Sequence, residues 1–321
     1  MSKMKLRKTC LAGCLAAVLG TAAVTAYAAQ EVDVDRMCSL TVDIGEEGDF
    51  REELAQEQWD VSLYRIASVD EKGEYTAKEG FESLEKEIDG AETAADLDAL
   101  AEGALTLITA DGAETGADAL ITMTDGKGAA ENLAAGLYIL ASDPVETEKY
   151  EYTFQPSAVY LPGTVSGTAW GYDQSVILKY ERSLRYGSLR VVKTLDSYNE
   201  ALGPVTFVFQ IEGVDEKGET VYSNVLATTH STAGTQSAAA EGIPAGTTVT
   251  VTEVYSGASY KLISDGTQTG VITADGELSM EFSNTYDDRL VPGYGAVNNF
   301  QYDENSGWQW SRTDGNAAVS E

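Results

Sequence analysis

Lys193, Glu253 and Asn284 are the residues of this chain whose types and settings could do chemistry on one another. Each stands in a short alternating run: GSLRVVKT (187–194), VTVTEVY (249–255) and MEFSNTY (280–286). Alternate side chains of a strand share a face. Lys193 then falls with Leu189 and Val191. Glu253 falls with Val249, Val251 and Tyr255, and Asn284 with Met280, Phe282 and Tyr286. Burying any one polar group alone is costly, but the three can satisfy each other.

Desolvation sets the chemistry. A buried lysine loses its proton more easily and a buried carboxyl tends to keep one. A neutral Lys193 amine is a nucleophile, and the Asn284 carboxamide carbon is an electrophile. A protonated Glu253 between them can bond the amide oxygen and pass protons to departing ammonia. The product would be a Lys193–Asn284 isopeptide bond, formed once, with no cofactor and no metal. Two plainer readings fit the same residues. One is a buried Lys–Glu ion pair with Asn284 as a hydrogen-bond partner. The other is a one-residue slip of strand register that exposes all three.

The elements that must position these groups are strands. Short alternating runs broken by Gly, Asp and Asn predict an all-β chain. Val69-Asp70-Glu71-Lys72-Gly73-Glu74 recurs as Val214-Asp215-Glu216-Lys217-Gly218-Glu219, each copy after an apolar strand (VSLYRIA, VTFVFQI). SLTV from Ser39 and SLRV from Ser188 precede them, and AAGLYIL (134–140) and PAGTTVTV (244–251) follow. Three matches in one order predict two tandem immunoglobulin-like sandwiches, over 36–182 and 187–286. Leu97, Leu100, Ala101, Ala104, Leu105 and Ile108 have helical spacing, so the first sandwich carries an inserted helix. Residues 287–321 form a separate tail. In it FQYDENSGWQW (300–310) reads as an aromatic hairpin that either closes on the second domain or docks a partner.

Residues 1–28 read as a secretory signal: Lys3, Lys5, Arg7 and Lys8, an apolar run, then Ala26-Tyr27-Ala28. They hold four basic residues and no acidic one. The chain after Ala28 then has 17 Lys+Arg against 52 Asp+Glu, a net charge near −35. That excludes nucleic acid and anionic lipid as partners. Only Cys38 remains after the signal, so a covalent staple here is not an internal disulfide. No later apolar run is long enough to span a membrane. His230, the single histidine, sits among Thr228, Thr229, Ser231 and Thr232 and reads as exposed strand or loop.

The three runs, opening, inside and closing residues 187–286, resemble the Lys, Glu and Asn boxes of CnaB-type (prealbumin-like) domains of Gram-positive surface proteins and pilins. The resemblance implies that Lys193 and Asn284 are the bonded pair and Glu253 the catalyst. Residues 36–182 resemble the N-terminal domain of the same pilins, but Ile44 stands where Lys193 falls. Ala141-Ser142 follows AAGLYIL, and no F-x-N-x-Y box closes the domain, so no such bond is expected there. Trp170, Tyr172, Asp173, Val176 and Lys179 are similar to the pilin motif whose lysine a sortase joins to the next subunit, with Leu178 in place of its proline. The other reading of Lys179 is a solvent-facing lysine on a final strand.

LVPGYG (290–295) only faintly echoes a sorting signal and Leu161-Pro162-Gly163-Thr164 fails the pattern, so no self-anchoring to a cell wall is expected. Together these readings describe a secreted structural or adhesive pilin-like subunit, not an enzyme. Its expected partners are other pilin subunits and a sortase. The alternative is an adhesin module that binds a host or matrix ligand without entering a polymer. A hydrolase built on paired carboxylates has no diagnostic spacing among so many acidic residues.

Overall fold

The computed structural model describes residues 31–45, 50–110, 116–165, 169–257, 259–288, 296–303 and 307–314. The signal-like segment 1–28 and the LVPGYG stretch lie outside the described residues. The described residues are mostly in strands, with helices at Phe50–Leu54, Glu85–Gly90 and Ala94–Ile108, and the chain divides into two compact units. The first comprises residues 1–147 and 152–182, the second 148–151 and 183–321. Among the described residues no helix is long and apolar enough to cross a membrane.

In the first unit, strand Cys38–Asp43 lies between Asp173–Ile177, parallel to it, and Lys127–Leu133, antiparallel. A second sheet is centred on Trp59–Val69 and Gly136–Ala141, with Tyr75–Ala77, Ala119–Met123 and Ser157–Leu161 around them. Helix Ala94–Ile108 packs on this sheet, burying Leu100, Ala101 and Ala104 with Ile66, Ala67, Leu137 and Ile139. Its start is set locally. The Thr93 hydroxyl accepts from the Asp96 N–H, and the Asp96 carboxylate accepts from the Thr93 N–H, a reciprocal cap.

The second unit is a sandwich of two four-stranded sheets. One runs Gly234–Pro244, Tyr186–Leu195, Glu277–Tyr286, Tyr260–Leu262. The other runs Thr220–His230, Val205–Val214, Thr248–Tyr255, Thr267–Val271. Leu189, Val191, Phe207, Phe209, Ile211, Val251 and Phe282 fill the space between them. Each such side chain contributes roughly 1.5–3 kcal/mol on burial. The opening strand Tyr186–Leu195 and the closing strand Glu277–Tyr286 are parallel neighbours in direct register, Ser188 opposite Glu277 through Leu195 opposite Asn284. In both units the opening strand thus pairs in parallel with a late strand.

The recurring six residues make the same turn twice. The Asp70 carboxylate accepts from the N–H groups of Lys72 and Glu74, and Gly73 has φ 84°. The Asp215 carboxylate accepts from Lys217 and Glu219, and Gly218 has φ 79°. Glycine is required because the turn needs positive φ. Gly187, the first residue of the GSLRVVKT run, has a different reason. A Cβ there would sit 2.2 Å from the Thr273 carbonyl oxygen. The opening strand is seated by that close approach and by the bond from Ser188 N–H to the Gly276 carbonyl.

Candidate functional site

Alternation puts Leu189, Val191, Lys193 and Leu195 inward from the opening strand, and Met280, Phe282 and Asn284 inward from the closing strand. Lys193 pairs with Phe282 in the ladder and Leu195 with Asn284. The lysine therefore runs two residues along the groove between strands to reach the asparagine. Glu253 comes from the facing sheet, where it pairs with Phe209. The side chains of Lys193 and Glu253 and the whole of Asn284 have 0% exposure.

The three groups close a ring of contacts. Lys193 Nζ donates to Glu253 Oε2 at 2.6 Å and to Asn284 Oδ1 at 2.5 Å. Asn284 Nδ2 donates to Glu253 Oε1 at 2.6 Å and, more weakly, to the Ser256 carbonyl at 3.5 Å. The rings of Phe207 and Phe209 form the floor, with Nζ 4.6 Å and 5.8 Å from their centroids. Burial, the largest influence, lowers the Lys193 pKa, against the opposing pull of Glu253. Burial likewise raises the Glu253 carboxyl, against Lys193 and Asn284. Both shifts favour moving the proton from lysine to glutamate and leaving two neutral groups. A free amine then touches the carboxamide it could attack, with a carboxylic acid bonded to both.

One expected neighbour is elsewhere. Tyr255 is exposed, and Val254 is buried instead. A bulge lets Val208 pair with Tyr255 and Phe209 with Glu253, so Val254 is the extra residue and alternation breaks there. His230 also departs from expectation. It is 2% exposed, its ring meets Phe207 edge-on at 5.5 Å, and its Nε2 finds no hydrogen-bond partner among the described residues. Burial and the nearby Lys193 lower its pKa. The polar neighbours disguised a strand whose alternate members, Thr228 and His230, point inward; the ladder from Val205 opposite His230 fixes that phase. The alternating phenylalanines of VTFVFQI, Phe207 and Phe209, carry the aromatic floor of the site.

A profile described as a domain of unknown function (DUF5979) matches residues 189–287, from the opening strand past Asn284. No curated protein matches the chain. Similar solved structures include a streptococcal ancillary pilin at 12% identity, covering 85% of this chain and 74% of that one, with a TM-score of 0.28. The minor pilin of Streptococcus agalactiae is 13% identical over 80% of this chain and 98% of its own, TM-score 0.24. The major pilin SpaD of Corynebacterium diphtheriae is 12% identical over 80% and 100%, TM-score 0.28. Superpositions this loose transfer no function.

Among the described residues, the corresponding strand of the first unit, Cys38–Asp43, carries no lysine. Ile44 is buried where Lys193 stands in the second, and Ser142 donates to the carbonyls of Asp60 and Asp143. Lys179 lies just beyond strand Asp173–Ile177, after the buried Leu178. Its Nζ is 2.8 Å from each carboxylate oxygen of Asp98 on helix Ala94–Ile108, and both side chains are partly exposed. Among the described residues no group of His, Cys, Asp or Glu is arranged to hold a metal ion.

Proposed function

We propose that the second unit forms an isopeptide bond between Lys193 and Asn284, with Glu253 as catalyst, and that the chain is a pilin-like structural subunit of a bacterial surface. The observation that carries this reading is the fully buried contact of the Lys193 amine with both Glu253 and Asn284. Lys193 first gives its proton to Glu253. Its nitrogen then bonds to Asn284 Cγ while Glu253 holds the amide nitrogen Nδ2, the group that will leave. Glu253 moves a proton from the attacking nitrogen to the departing one, the Cγ–Nδ2 bond breaks, and ammonia leaves. No oxidant or cofactor enters the balance.

The placement suits a load-bearing part. The bond would join neighbouring parallel strands at the two ends of the sandwich, across a sequence separation of 91 residues. By loop closure it stabilises by about 4–5 kcal/mol. Under tension the gain is larger, because the terminal strands could not slide apart without breaking a covalent bond. Pulling the full chain by its ends tests this. The wild type should release no length from residues 193–284, and Asn284→Ala should release it. Equal extension of the two would refute the reading.

Lys179 supplies the second part of the proposal, attachment to a neighbouring subunit by a sortase. Its spacing from Trp170, Tyr172 and Asp173 and its partly exposed side chain support this. Incubation with a sortase and an anchored pilin should modify Lys179, and modification at another lysine would refute it.

A further inference from the structure

Tyr302 and Trp308 face each other across the hairpin Ala296–Asp303 and Gly307–Asp314, their rings 5.5 Å apart and inclined at 64°. Phe300 and Trp310 form the pair two positions along the ladder. Strand alternation therefore sets four aromatic residues on one face. Trp310 is partly buried, while Phe300, Tyr302 and Trp308 remain 39%, 54% and 42% exposed. The hairpin is tied to the second unit, since the Ser223 hydroxyl donates to the Trp308 carbonyl.

A two-stranded ribbon is marginal in water by itself, and an outward patch of Trp, Tyr and Phe has the composition of an interface core. The chemistry of the face selects among partners. Ring faces with polar tips would serve a sugar as well as a cation, so the surrounding field decides between the two occupants. A cation needs only ring faces and a negative surrounding field. The chain supplies that field: its net charge is −31, and residues 287–321 hold six acidic residues against two basic ones. The same field repels a second copy of the chain and any anionic surface. We propose that this aromatic face binds a lysine- or arginine-bearing segment of a protein partner, its cationic group seated against Tyr302 and Trp308.

Calorimetric titration of the full chain with a short Arg/Lys-rich peptide, and with the same peptide made uncharged, tests the proposal. The charged peptide should bind and the uncharged one should not. Tyr302→Ala/Trp308→Ala keeps the net charge, so bulk acidity still acts, and should weaken binding about tenfold. Tyr302→Phe/Trp308→Phe keeps the rings and should retain most of the affinity. Failure of the wild type to bind, equal affinity in the alanine pair, or equal loss in the phenylalanine pair overturns the proposal. So does preferential binding of a neutral oligosaccharide, or self-association that the alanine pair abolishes.

Discussion

Lys193 Nζ stands 2.5 Å from Asn284 Oδ1, on parallel neighbouring strands that open and close one sandwich, with no water access to either side chain. Glu253 reaches both from the opposite sheet. Register and burial, rather than any flexible loop, bring the amine to the amide.

Removing the carboxylate should stop the chemistry and damage the fold. Glu253→Gln leaves the buried Lys193 amine without the group that takes its proton, which costs about 1–3 kcal/mol. Thermal and denaturant unfolding should show that loss together with the loss of the cross-link. A Glu253→Gln protein as stable as the wild type would mean that the carboxylate does neither job.

The pH dependence has a definite sign. Burial raises the folded Glu253 carboxyl above its ordinary 4.5, so the native state holds this proton more tightly than the unfolded chain. The stability this provides is fully present below 4.5 and is lost as pH rises toward the raised folded value. Lys193→Met removes the opposing cation and keeps the carboxyl buried. Its melting midpoint should fall, relative to Lys193→Met/Glu253→Gln, as pH rises through that window. A difference that grows in the other direction contradicts the assignment.

His230→Phe should leave stability unchanged or slightly raised, although the residue lies in the core. The substitution removes a buried nitrogen that has no partner among the described residues and keeps an aromatic ring against Phe207. Phe207→Ala, by contrast, should cost about 3–5 kcal/mol. A large loss for His230→Phe in denaturant melts would show that Nε2 is bonded in solution.

Gly218→Ala should cost about 1–2 kcal/mol through backbone strain. Its φ is +79° and an added Cβ meets nothing within 4 Å, so no clash contributes. A loss well beyond that range would mean that the turn makes a contact of its own.

Much of this site could be read in the sequence because period-2 alternation survives intact around Lys193 and Asn284. Three polar residues on apolar faces gave the cluster away. Alternation failed at Tyr255, where a bulge opposite Val208 and Phe209 shifts the phase by one residue, a feature with no residue signature in VTVTEVY. It also failed at His230, where threonines on both faces hide which one is buried. The Asp98 contact of Lys179 was out of reach for another reason. It joins a helix to a residue 81 positions away, and no local pattern specifies such a pairing.

Peptide mapping by mass spectrometry tests the cross-link most directly. The purified mature wild type should be lighter than the sequence after Ala28 by one ammonia, with the peptides bearing Lys193 and Asn284 joined in a single branched species. Lys193→Ala, Glu253→Gln and Asn284→Ala should each show the full mass of their own mature sequence. Separate Lys193 and Asn284 peptides from a wild-type chain of unreduced mass would contradict the account and leave the three residues as a buried ion pair with an asparagine beside it.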